Sequence, residues 1–541
     1  MIPFFAVLAV APAFAEDASL LKNRPETALV GEVIELRPAA GHHFNVEAPQ
    51  KCGGERPLEL ISRRVRCQMK NPGKIPVLVS VCDDALTFCR QERFEIKVTG
   101  VARAAAKASP MVSAPRENRR APAGFLDNVP SEAQRRAKKE GKLLFIDFYG
   151  IWCPPCNDLE EHAYPTPEFR AAAANFVTLG LDADAPVSFD WKARFKVGGY
   201  PTLIVADADL HEIGRLVGFR SGPALAKFMA QASARRGEPV ETAARLVAAG
   251  GPDATEERRL RVAQWEADRG ELEQAEAILK GLTGAPARKA LLEARRERAR
   301  LQEDAAAGLA ALKELVKSFP DDAEYSDWLS ALADADQNAA RELQEALRRS
   351  VDRWSADPAA GEAGYDPGDL YYNLASVLDA VGSTEAAKAV WSKVADAYAA
   401  QAAKSPLAVP RAANFGRGEA LMKAGRKDEA KALYESLVKA YPGEFTFNYD
   451  YATQLSDEDP AAAYPYAVKA AEAGYGDNWL RAVRLKASLE LKLGRPADAA
   501  KTVDEALNSA APPKSAEVRT YRYLAALRAL RRQIADAEKK K

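Results

Sequence analysis

The segment from residue 20 to residue 99 has the spacing of apolar side chains that is typical of short β-strands. Leu29–Leu36 and Ile75–Cys82 are rich in β-branched residues, and Arg93–Val98 alternates polar and apolar side chains with a period of two. An alternating strand buries one face and exposes the other. The pattern predicts a small all-β domain over residues 16–100, which we expect to form a sandwich.

Residues 124–236 instead alternate strand patterns with helix patterns. Continuous apolar runs predict three buried strands, and apolar residues at helical spacing predict three helices. The strands are expected at Leu143–Tyr149, Phe176–Leu181 and Thr202–Ala206, and the helices at 157–163, 166–175 and Ser221–Ala234. This order predicts an α/β domain.

The rest of the chain, residues 240–541, is rich in Ala, Leu, Glu and Lys and has a helical pattern throughout. Four segments each contain an apolar helix, a Gly at the turn and an Ala-rich helix, at 260–279, 370–391, 415–434 and 485–503. Gly425 and Gly494 are separated by 494 − 425 = 69 residues, close to two periods of about 34 residues. The segments resemble the tetratricopeptide repeat family, degenerately over 281–365, and the resemblance implies an all-α solenoid that docks a protein partner. An Ala-rich helical bundle without repeats is the alternative.

Two further segments lack these patterns. Ile2–Val10 is almost wholly apolar, and Ala13–Ala15 supplies a small-x-small motif, so residues 1–15 are interpreted as a signal peptide cleaved after Ala15. A buried N-terminal segment is the alternative. Residues 101–123 are rich in Ala and Pro and have no periodicity, which predicts a flexible linker. No later apolar run approaches the roughly 18–20 residues that span a bilayer, so we expect an exported, soluble, periplasmic protein without membrane insertion.

Charge and cysteine content narrow the possible partners and the compartment. The 541 residues include 76 Lys and Arg and 76 Asp and Glu, and this balance does not call for nucleic acid or an anionic membrane as the main partner. All six cysteines lie at or before residue 156. An even number of cysteines in an exported protein is consistent with disulfides in an oxidising compartment.

Cys153 and Cys156 are separated by two residues, a spacing that allows a tight, reversible disulfide. The motif lies between a predicted strand and a predicted helix, where unpaired N–H groups and the helix dipole favour the thiolate of the first cysteine. Pro154 and Pro155 suit the first helical turn because proline needs no N–H partner there. We expect Cys153 to be an exposed nucleophile and Cys156 the resolving thiol. Half of a zinc site is the alternative, but no second cysteine pair follows.

The sequence around this motif resembles the thioredoxin family. FIDFYGIWCPPC (145–156) contains a buried strand, an acid six residues before the first cysteine, and Trp152 next to it. The resemblance implies that Asp147 is a buried carboxylate that accepts the proton of Cys156. VGGYPT (197–202) matches the family's cis-proline loop, which implies that Pro201 is the cis-proline and that the Tyr200 backbone binds substrate. A local cap at Asp147 and a simple turn at Pro201 are the alternatives.

A more specific resemblance is to the DsbD family of transmembrane reductases. EAQRRAKKEGKLLFIDFYGIWCPPCNDLEEHAY (132–164) and EIGRLVGF (212–219) look like the C-terminal periplasmic domain of that family. The resemblance implies a protein-disulfide reductase that passes electrons from a membrane donor to exported substrates. The Pro-Pro dipeptide departs from the usual pair of that domain, which leaves the direction of electron flow open.

The β domain resembles the N-terminal domain of the same family through GHHFNVEAP (41–49) and VSVCDDALTFCRQERFEIKV (79–98). The resemblance assigns Cys82 and Cys89 to a second redox pair that exchanges with the C-terminal domain. The interval looks one residue longer, and Arg-Gln-Glu replaces the family's Tyr-Pro-Pro, so a structural hairpin disulfide is an equal alternative. Cys52 and Cys67 are candidates for a structural disulfide, although four cysteines allow three pairings.

Two functional hypotheses follow from these observations. The first is a thiol–disulfide oxidoreductase with no cofactor and no metal, whose partners are protein disulfides, a separate membrane electron donor and a protein docked on the repeats. The second is a non-catalytic periplasmic scaffold in which the repeats and the thioredoxin-like fold are docking modules. The complete set of Cys153, Cys156, Asp147 and Pro201 favours the enzyme, because a docking fold needs none of them.

Overall fold

The computed structural model describes residues 19–30, 33–84, 88–99, 124–301, 304–357, 359–510 and 518–539. The predicted signal peptide at residues 1–15 and the predicted linker at residues 101–123 lie outside these ranges. The chain divides into two compact units, residues 1–102 and residues 103–541. No helix within the described ranges combines the length and the apolar character needed to cross a bilayer.

The described part of the first unit is built from strands, which confirms the expected all-β region. The strands are β1 (Thr27–Leu29), β2 (Val33–Leu36), β3 (His42–Phe44), β4 (Lys51–Cys52), β5 (Glu59–Ile61), β6 (Arg64–Gln68), β7 (Gly73–Asp83) and β8 (Cys89–Thr99). One sheet has the order β1-β8-β7-β3, with β4 also paired to β7, and a second sheet has the order β2-β6-β5.

The two sheets of this unit share one apolar core. Phe44 and Val79 from the first sheet and Leu36 from the second belong to the same cluster of buried side chains. A disulfide joins Cys52 on β4 to Cys67 on β6, with 5.5 Å between the Cα atoms. The disulfide therefore links the two sheets through their shared core.

The segment Leu29–Leu36, which is rich in β-branched residues, contributes to two strands in two different sheets. Thr27–Leu29 pairs in parallel with β8, whereas Val33–Leu36 pairs antiparallel with β6 in the other sheet. The chain thus changes sheets between Leu29 and Val33. β-Branched composition indicates extended backbone, but it does not identify the pairing partner.

Residues 124–236 form a mixed five-stranded sheet with helices packed on it, as expected for an α/β domain. The strands are β9 (Leu126–Asp127), β10 (Leu143–Tyr149), β11 (Phe176–Asp182), β12 (Thr202–Ala206) and β13 (Glu212–Val217). The sheet order is β13-β12-β10-β11-β9; β10 runs parallel to β11 and antiparallel to β12. The helices are α1 (Pro130–Glu140), α2 (Pro154–Asp158), α3 (Pro167–Ala173), α4 (Phe189–Phe195) and α5 (Gly222–Ala234).

The position of β10 explains why its sequence is continuously apolar. All seven residues of β10 are buried. Phe145 packs in a cluster on one side of the sheet, whereas Ile146 and Phe148 pack in a cluster on the other side. A central strand covered on both faces needs apolar side chains in both directions. The chain leaves this strand at Tyr149, and after three intervening residues it enters the CxxC motif.

The remaining described residues are helical. These helices are α6 (Val240–Ala249), α7 (Glu256–Asp268), α8 (Leu272–Leu279), α9 (Ala285–Leu301), α10 (Ala305–Ser318), α11 (Tyr325–Ala335), α12 (Gln337–Glu342), α13 (Gln344–Ser355), α14 (Ala359–Ala363), α15 (Pro367–Ala380), α16 (Thr384–Ala402), α17 (Ala412–Lys423), α18 (Lys427–Ala440), α19 (Phe445–Leu455), α20 (Pro460–Ala473), α21 (Gly476–Lys492), α22 (Pro496–Ser509) and α23 (Val518–Lys539).

The four predicted repeat segments are helix pairs joined by a tight turn: α7–α8, α15–α16, α17–α18 and α21–α22. The glycine at each turn has a φ between +72° and +81°, namely Gly270, Gly382, Gly425 and Gly494. This left-handed conformation is readily available only to glycine, which is why the glycine recurs in the sequence. The predicted solenoid of helix pairs is therefore confirmed.

Candidate active site

Cys153 and Cys156 form a disulfide at the start of α2, with 5.3 Å between their Cα atoms. Cys153 is the N-cap residue, and its Sγ accepts a hydrogen bond of 3.3 Å from the backbone N–H of Cys156. Pro154 and Pro155 occupy the first turn, and the helix continues as one π-helical turn over Leu159–Ala163. The start of the helix thus directs the backbone N–H of Cys156 and the positive end of the helix dipole at the sulfur of the first cysteine, an arrangement that stabilises a thiolate.

Trp152 and the loop before β12 lie beside the disulfide. The indole ring of Trp152 meets the ring of Tyr200 edge to face, with 5.7 Å between centroids. The peptide bond between Tyr200 and Pro201 is cis. Both cysteines and Tyr200 belong to the same apolar cluster. The structure therefore brings the cis-proline loop (197–202) next to Trp152 and the two cysteines, although the loop lies far from them in the sequence.

Asp147 lies in the middle of β10 and is 2% exposed. Its Oδ2 accepts a hydrogen bond of 2.9 Å from the hydroxyl of Tyr164, a residue that the sequence patterns did not single out. A buried carboxylate can hold and release a proton without solvent competition. Its exchange of a proton with Cys156 stays a prediction.

Cys153 is not exposed, contrary to the expectation from the sequence. Cys153 is 3% exposed and Cys156 is 1% exposed. Both pack with Phe445, Ala473 and Tyr475 of the helical region. Helices α17, α19, α20, α21 and α23 contact the face of the thioredoxin-like domain that carries the disulfide, directly or through the residue before them; we call them the covering helices.

On one side of the disulfide the cover is held by what we call the Arg411 junction, made of Asn157, Glu160, Glu161, Arg411 and Glu444. The Arg411 guanidinium donates to Asn157 Oδ1 at 2.5 Å, to Glu160 at 3.0 Å and to Glu444 at 2.8 Å. The Arg411 backbone N–H donates to Glu161 at 2.9 Å. Because Arg411 is 7% exposed, these charges interact with little screening by water.

Asn157 connects this junction to the CxxC loop. Its Nδ2 donates to the backbone oxygen of Cys153 at 2.9 Å and to that of Ile151 at 3.2 Å. Its Oδ1 accepts from Arg411, and the residue is fully buried. One amide side chain thus holds the loop around Cys153 and contacts the covering helices.

On the other side the cover is held by what we call the Asp184 junction, made of Trp152, Asp182, Asp184, Tyr475, Asn478 and Arg519. Asp184, which is fully buried, accepts hydrogen bonds from Trp152 Nε1 at 2.6 Å, from Asn478 Nδ2 at 2.6 Å and from Arg519. The Tyr475 hydroxyl donates to Asp182 at 2.5 Å. Trp152, predicted as part of the active site, is therefore bound to a carboxylate that the covering helices also bind.

A cavity of about 750 Å³ opens beside the disulfide between the thioredoxin-like domain and the repeats. Pro154, Pro155 and residues 217–220 form one wall, and α15 to α17 contribute to the opposite wall. Seven carboxylates line it, namely Asp158, Glu324, Asp327, Asp366, Asp369, Glu419 and Asp450. Burial, with added repulsion from neighbouring carboxylates, raises the pKa of Asp366 and Asp369. This cavity was not predicted because its walls come from three separate parts of the sequence.

The cysteines of the first unit form two different kinds of disulfide. Cys52 and Cys67 are buried, 7% and 0% exposed. Cys82 and Cys89 lie directly opposite each other on β7 and β8, and Cys82 is buried whereas Cys89 is exposed. A thiolate needs access to one sulfur to attack a disulfide. Cys82–Cys89 meets this condition, whereas Cys52–Cys67 has the burial of a structural crosslink. No cluster of three or more potential metal ligands is found among the described residues.

Comparison with known proteins agrees with this fold and site. Residues 130–233 match a family described as thioredoxin-like domain, and residues 412–443 match the tetratricopeptide repeat. The chain thus contains a thioredoxin-like domain followed by tetratricopeptide repeats.

Its relatives are similar over only part of their length. The thiol:disulfide interchange protein DsbD of Cronobacter sakazakii is 36% identical over 94 residues, which are 17% of this chain and 16% of that protein. Protein disulfide-isomerase 2-3 of Arabidopsis thaliana is 27% identical over 191 residues, or 35% of this chain and 41% of that protein. A solved thioredoxin from Thermus thermophilus is 25% identical with a TM-score of 0.20, covering 21% of this chain and 91% of that one. The thioredoxin-like domain is therefore DsbD-like, and the match to each of the two curated relatives spans less than half of that relative.

Proposed function

We propose that this chain is an exported thiol–disulfide oxidoreductase that reduces disulfides of periplasmic proteins. The observation that carries the proposal is the Cys153–Cys156 disulfide at the start of α2, next to Trp152 and the cis-proline loop. The partial similarity to DsbD and protein disulfide-isomerase supports dithiol chemistry. Export is proposed from the apolar N-terminal residues.

The reaction would proceed by two thiol–disulfide exchanges. In the first, the Cys153 thiolate attacks one sulfur of the substrate disulfide, and the other substrate sulfur leaves as a thiolate that takes up a proton. In the second, the Cys156 thiol gives up its proton, for which Asp147 is the proposed acceptor, and attacks Cys153 Sγ. The second substrate thiol is released and the Cys153–Cys156 disulfide forms. Two electrons and two protons pass to the substrate, and a separate membrane dithiol would restore the reduced enzyme.

The roles of the other site residues follow from their positions. The backbone N–H of Cys156 would stabilise the Cys153 thiolate, because it donates a hydrogen bond to Cys153 Sγ. The Tyr200 backbone, next to the cis peptide bond, would bind an extended substrate segment. The repeats would recruit a protein partner through surfaces other than the covering helices.

A non-catalytic scaffold is the second candidate, and burial of the disulfide is the observation that favours it. A dithiol that never leaves the cover could not meet a protein disulfide. The catalytic proposal therefore requires measurable turnover.

Two measurements on the full chain test the proposal. The first is insulin reduction with a chemical reductant, in which Cys153→Ser should abolish turnover. The second is the reduction potential of the Cys153–Cys156 pair, where a value near thioredoxin's, roughly −270 mV, indicates a reductant and one near −120 mV an oxidant. Turnover equal to that of Cys153→Ser would support the scaffold, and an oxidising potential would reverse the proposed direction.

A further inference from the structure

The covering helices place a physical obstacle at the proposed nucleophile. Thiol–disulfide exchange requires direct contact between the Cys153 Sγ and a substrate sulfur. Cys153 is 3% exposed because Phe445, Ala473 and Tyr475 pack against the disulfide. A protein disulfide is carried on a folded surface and cannot reach this sulfur while the helices remain in place.

The cover is specific in its chemistry. Its apolar centre at the disulfide is flanked by the two buried polar junctions. The Asp184 junction binds Arg519 of α23, and this arginine also donates to Asp477 at 2.8 Å. Charged groups that are taken out of water need such partners, because burial without them is costly. The surfaces of the two domains are therefore complementary in both shape and charge.

The cavity beside Pro154 and Pro155 limits the size of the molecules that can approach the CxxC motif. Its volume of about 750 Å³ lies within the range of roughly 300–1,000 Å³ that is usual for small-molecule sites. A small reagent can enter such a space next to the CxxC motif. A folded protein cannot.

We propose that the covering helices form a gate that excludes protein-sized partners from Cys153 in the closed chain, and that the gate opens at the Asp184 junction to admit a protein disulfide. The proposal goes beyond the oxidoreductase function and rests on it only for the identity of the partner. In the closed state the gate protects the dithiol from bulky reactants. In the open state the two domains separate around the disulfide, and the same Cys153 becomes the nucleophile.

Gly476 offers a precise way to disturb the gate. This residue begins α21 with a φ of +52°, and a Cβ added to it would lie 2.5 Å from the backbone oxygen of Asp184. Gly476→Ala therefore inserts a methyl group between the two domains. Gly494, beyond the other end of α21, has a φ of +72°, and a Cβ there would meet nothing within 4 Å. Gly494→Ala thus imposes similar backbone strain without touching the thioredoxin-like domain, and it is the matched control.

The experiment uses the full chain carrying Cys156→Ser, which frees the Cys153 thiol while the other four cysteines remain in disulfides. Alkylation of Cys153 is timed with N-ethylmaleimide and with a long polyethylene-glycol maleimide, which share the same reactive group. We expect the polymer to react far more slowly than the small reagent, and Gly476→Ala to raise the polymer-to-small rate ratio by about tenfold, as overpacking of an interface displaces it. Gly494→Ala should leave the ratio unchanged.

Arg519→Ala, which removes a charged contact of the same junction, is the second opening variant, and the far-ultraviolet helical signal checks that each variant folds. The gate is refuted if the two reagents already react alike in the parent chain. It is also refuted if Gly476→Ala and Arg519→Ala both keep the parent ratio. Alkylation needs no turnover, so a gated Cys153 in a chain whose Gly476→Ala variant, with both active-site cysteines present, also fails to reduce insulin would refute the proposed function and leave the gate standing.

Discussion

Replacing Arg411 with alanine should destabilise the chain far more than replacing an arginine whose carboxylate partners are exposed. Arg411 is 7% exposed and its guanidinium binds Glu444, which is 5% exposed, and Glu160. Arg411→Ala leaves these carboxylates facing a small apolar side chain. Removing one partner of a buried ion pair typically costs about 3–5 kcal/mol, mainly because the remaining charge is unpaired. A loss of 3 kcal/mol corresponds to a change of roughly 150-fold in an equilibrium constant.

The assay is urea denaturation at neutral pH, with unfolding detected by tryptophan fluorescence and by circular dichroism. Arg426→Ala is the control: Arg426 pairs with Glu429 and Asp396, whose side chains are 53% and 67% exposed, so its loss should cost about 1 kcal/mol or less. Adding Glu444→Gln to Arg411→Ala should restore part of the stability, because it removes an uncompensated charge. Equal urea midpoints for Arg411→Ala and Arg426→Ala would show that the Arg411 junction does not act as a buried ion pair.

Three further predictions concern the thiols and one carboxylate. Cys156→Ser should accumulate mixed disulfides through Cys153 on non-reducing gels, since resolution needs the second thiol; absence of adducts would support the scaffold. Burial raises the pKa of Asp450 to about 6 in the folded chain, above the ordinary value that it has in the unfolded chain. The folded chain therefore holds this proton more tightly, and the free energy of unfolding should fall as pH rises from 4 to 7. Asp450→Asn should reduce this fall in unfolding free energy by about 1–2 kcal/mol, which is less than the full pKa shift would give because the Asp450 side chain borders the cavity and is partly screened by solvent. Identical pH profiles for the two proteins would contradict the assignment. Finally, thiol titration of the full chain with substoichiometric reductant should show Cys82–Cys89 exchanging with the active-site pair, whereas a pair that stays oxidised throughout is structural.

The sequence predicts the parts of the fold that depend on local patterns. The runs Leu143–Tyr149 and Thr202–Ala206 match β10 and β12 residue for residue, because a central strand must be apolar on both faces. The repeat turns were predicted from glycine spacing for a similarly local reason. Helices α1 and α4 were missed, because their short or strongly charged segments carry little apolar periodicity.

The site was predicted only in part. The CxxC motif and the cis-proline loop carry recognisable residues, whereas Asn157, Glu161 and Asp184 look like ordinary polar residues of a helix or loop. Their burial depends on partners far away in the chain, which no local pattern reports. One signal was available: Asp184 lies two residues after the end of the buried strand β11, and polar residues in the loop after a buried strand are candidates for a binding role.

The partners in the two junctions lie far apart along the chain, so the contacts between them can form only late in synthesis. Glu161 precedes Arg411 by 250 residues, and Asp184 precedes Arg519 by 335. At roughly 5–20 residues per second of synthesis, the last of these contacts becomes available some 20–70 s after Asp184 is made. The thioredoxin-like domain can complete its sheet in that interval, since its strands lie within 124–236. Each new molecule therefore passes through a period in which its dithiol is made but not yet enclosed.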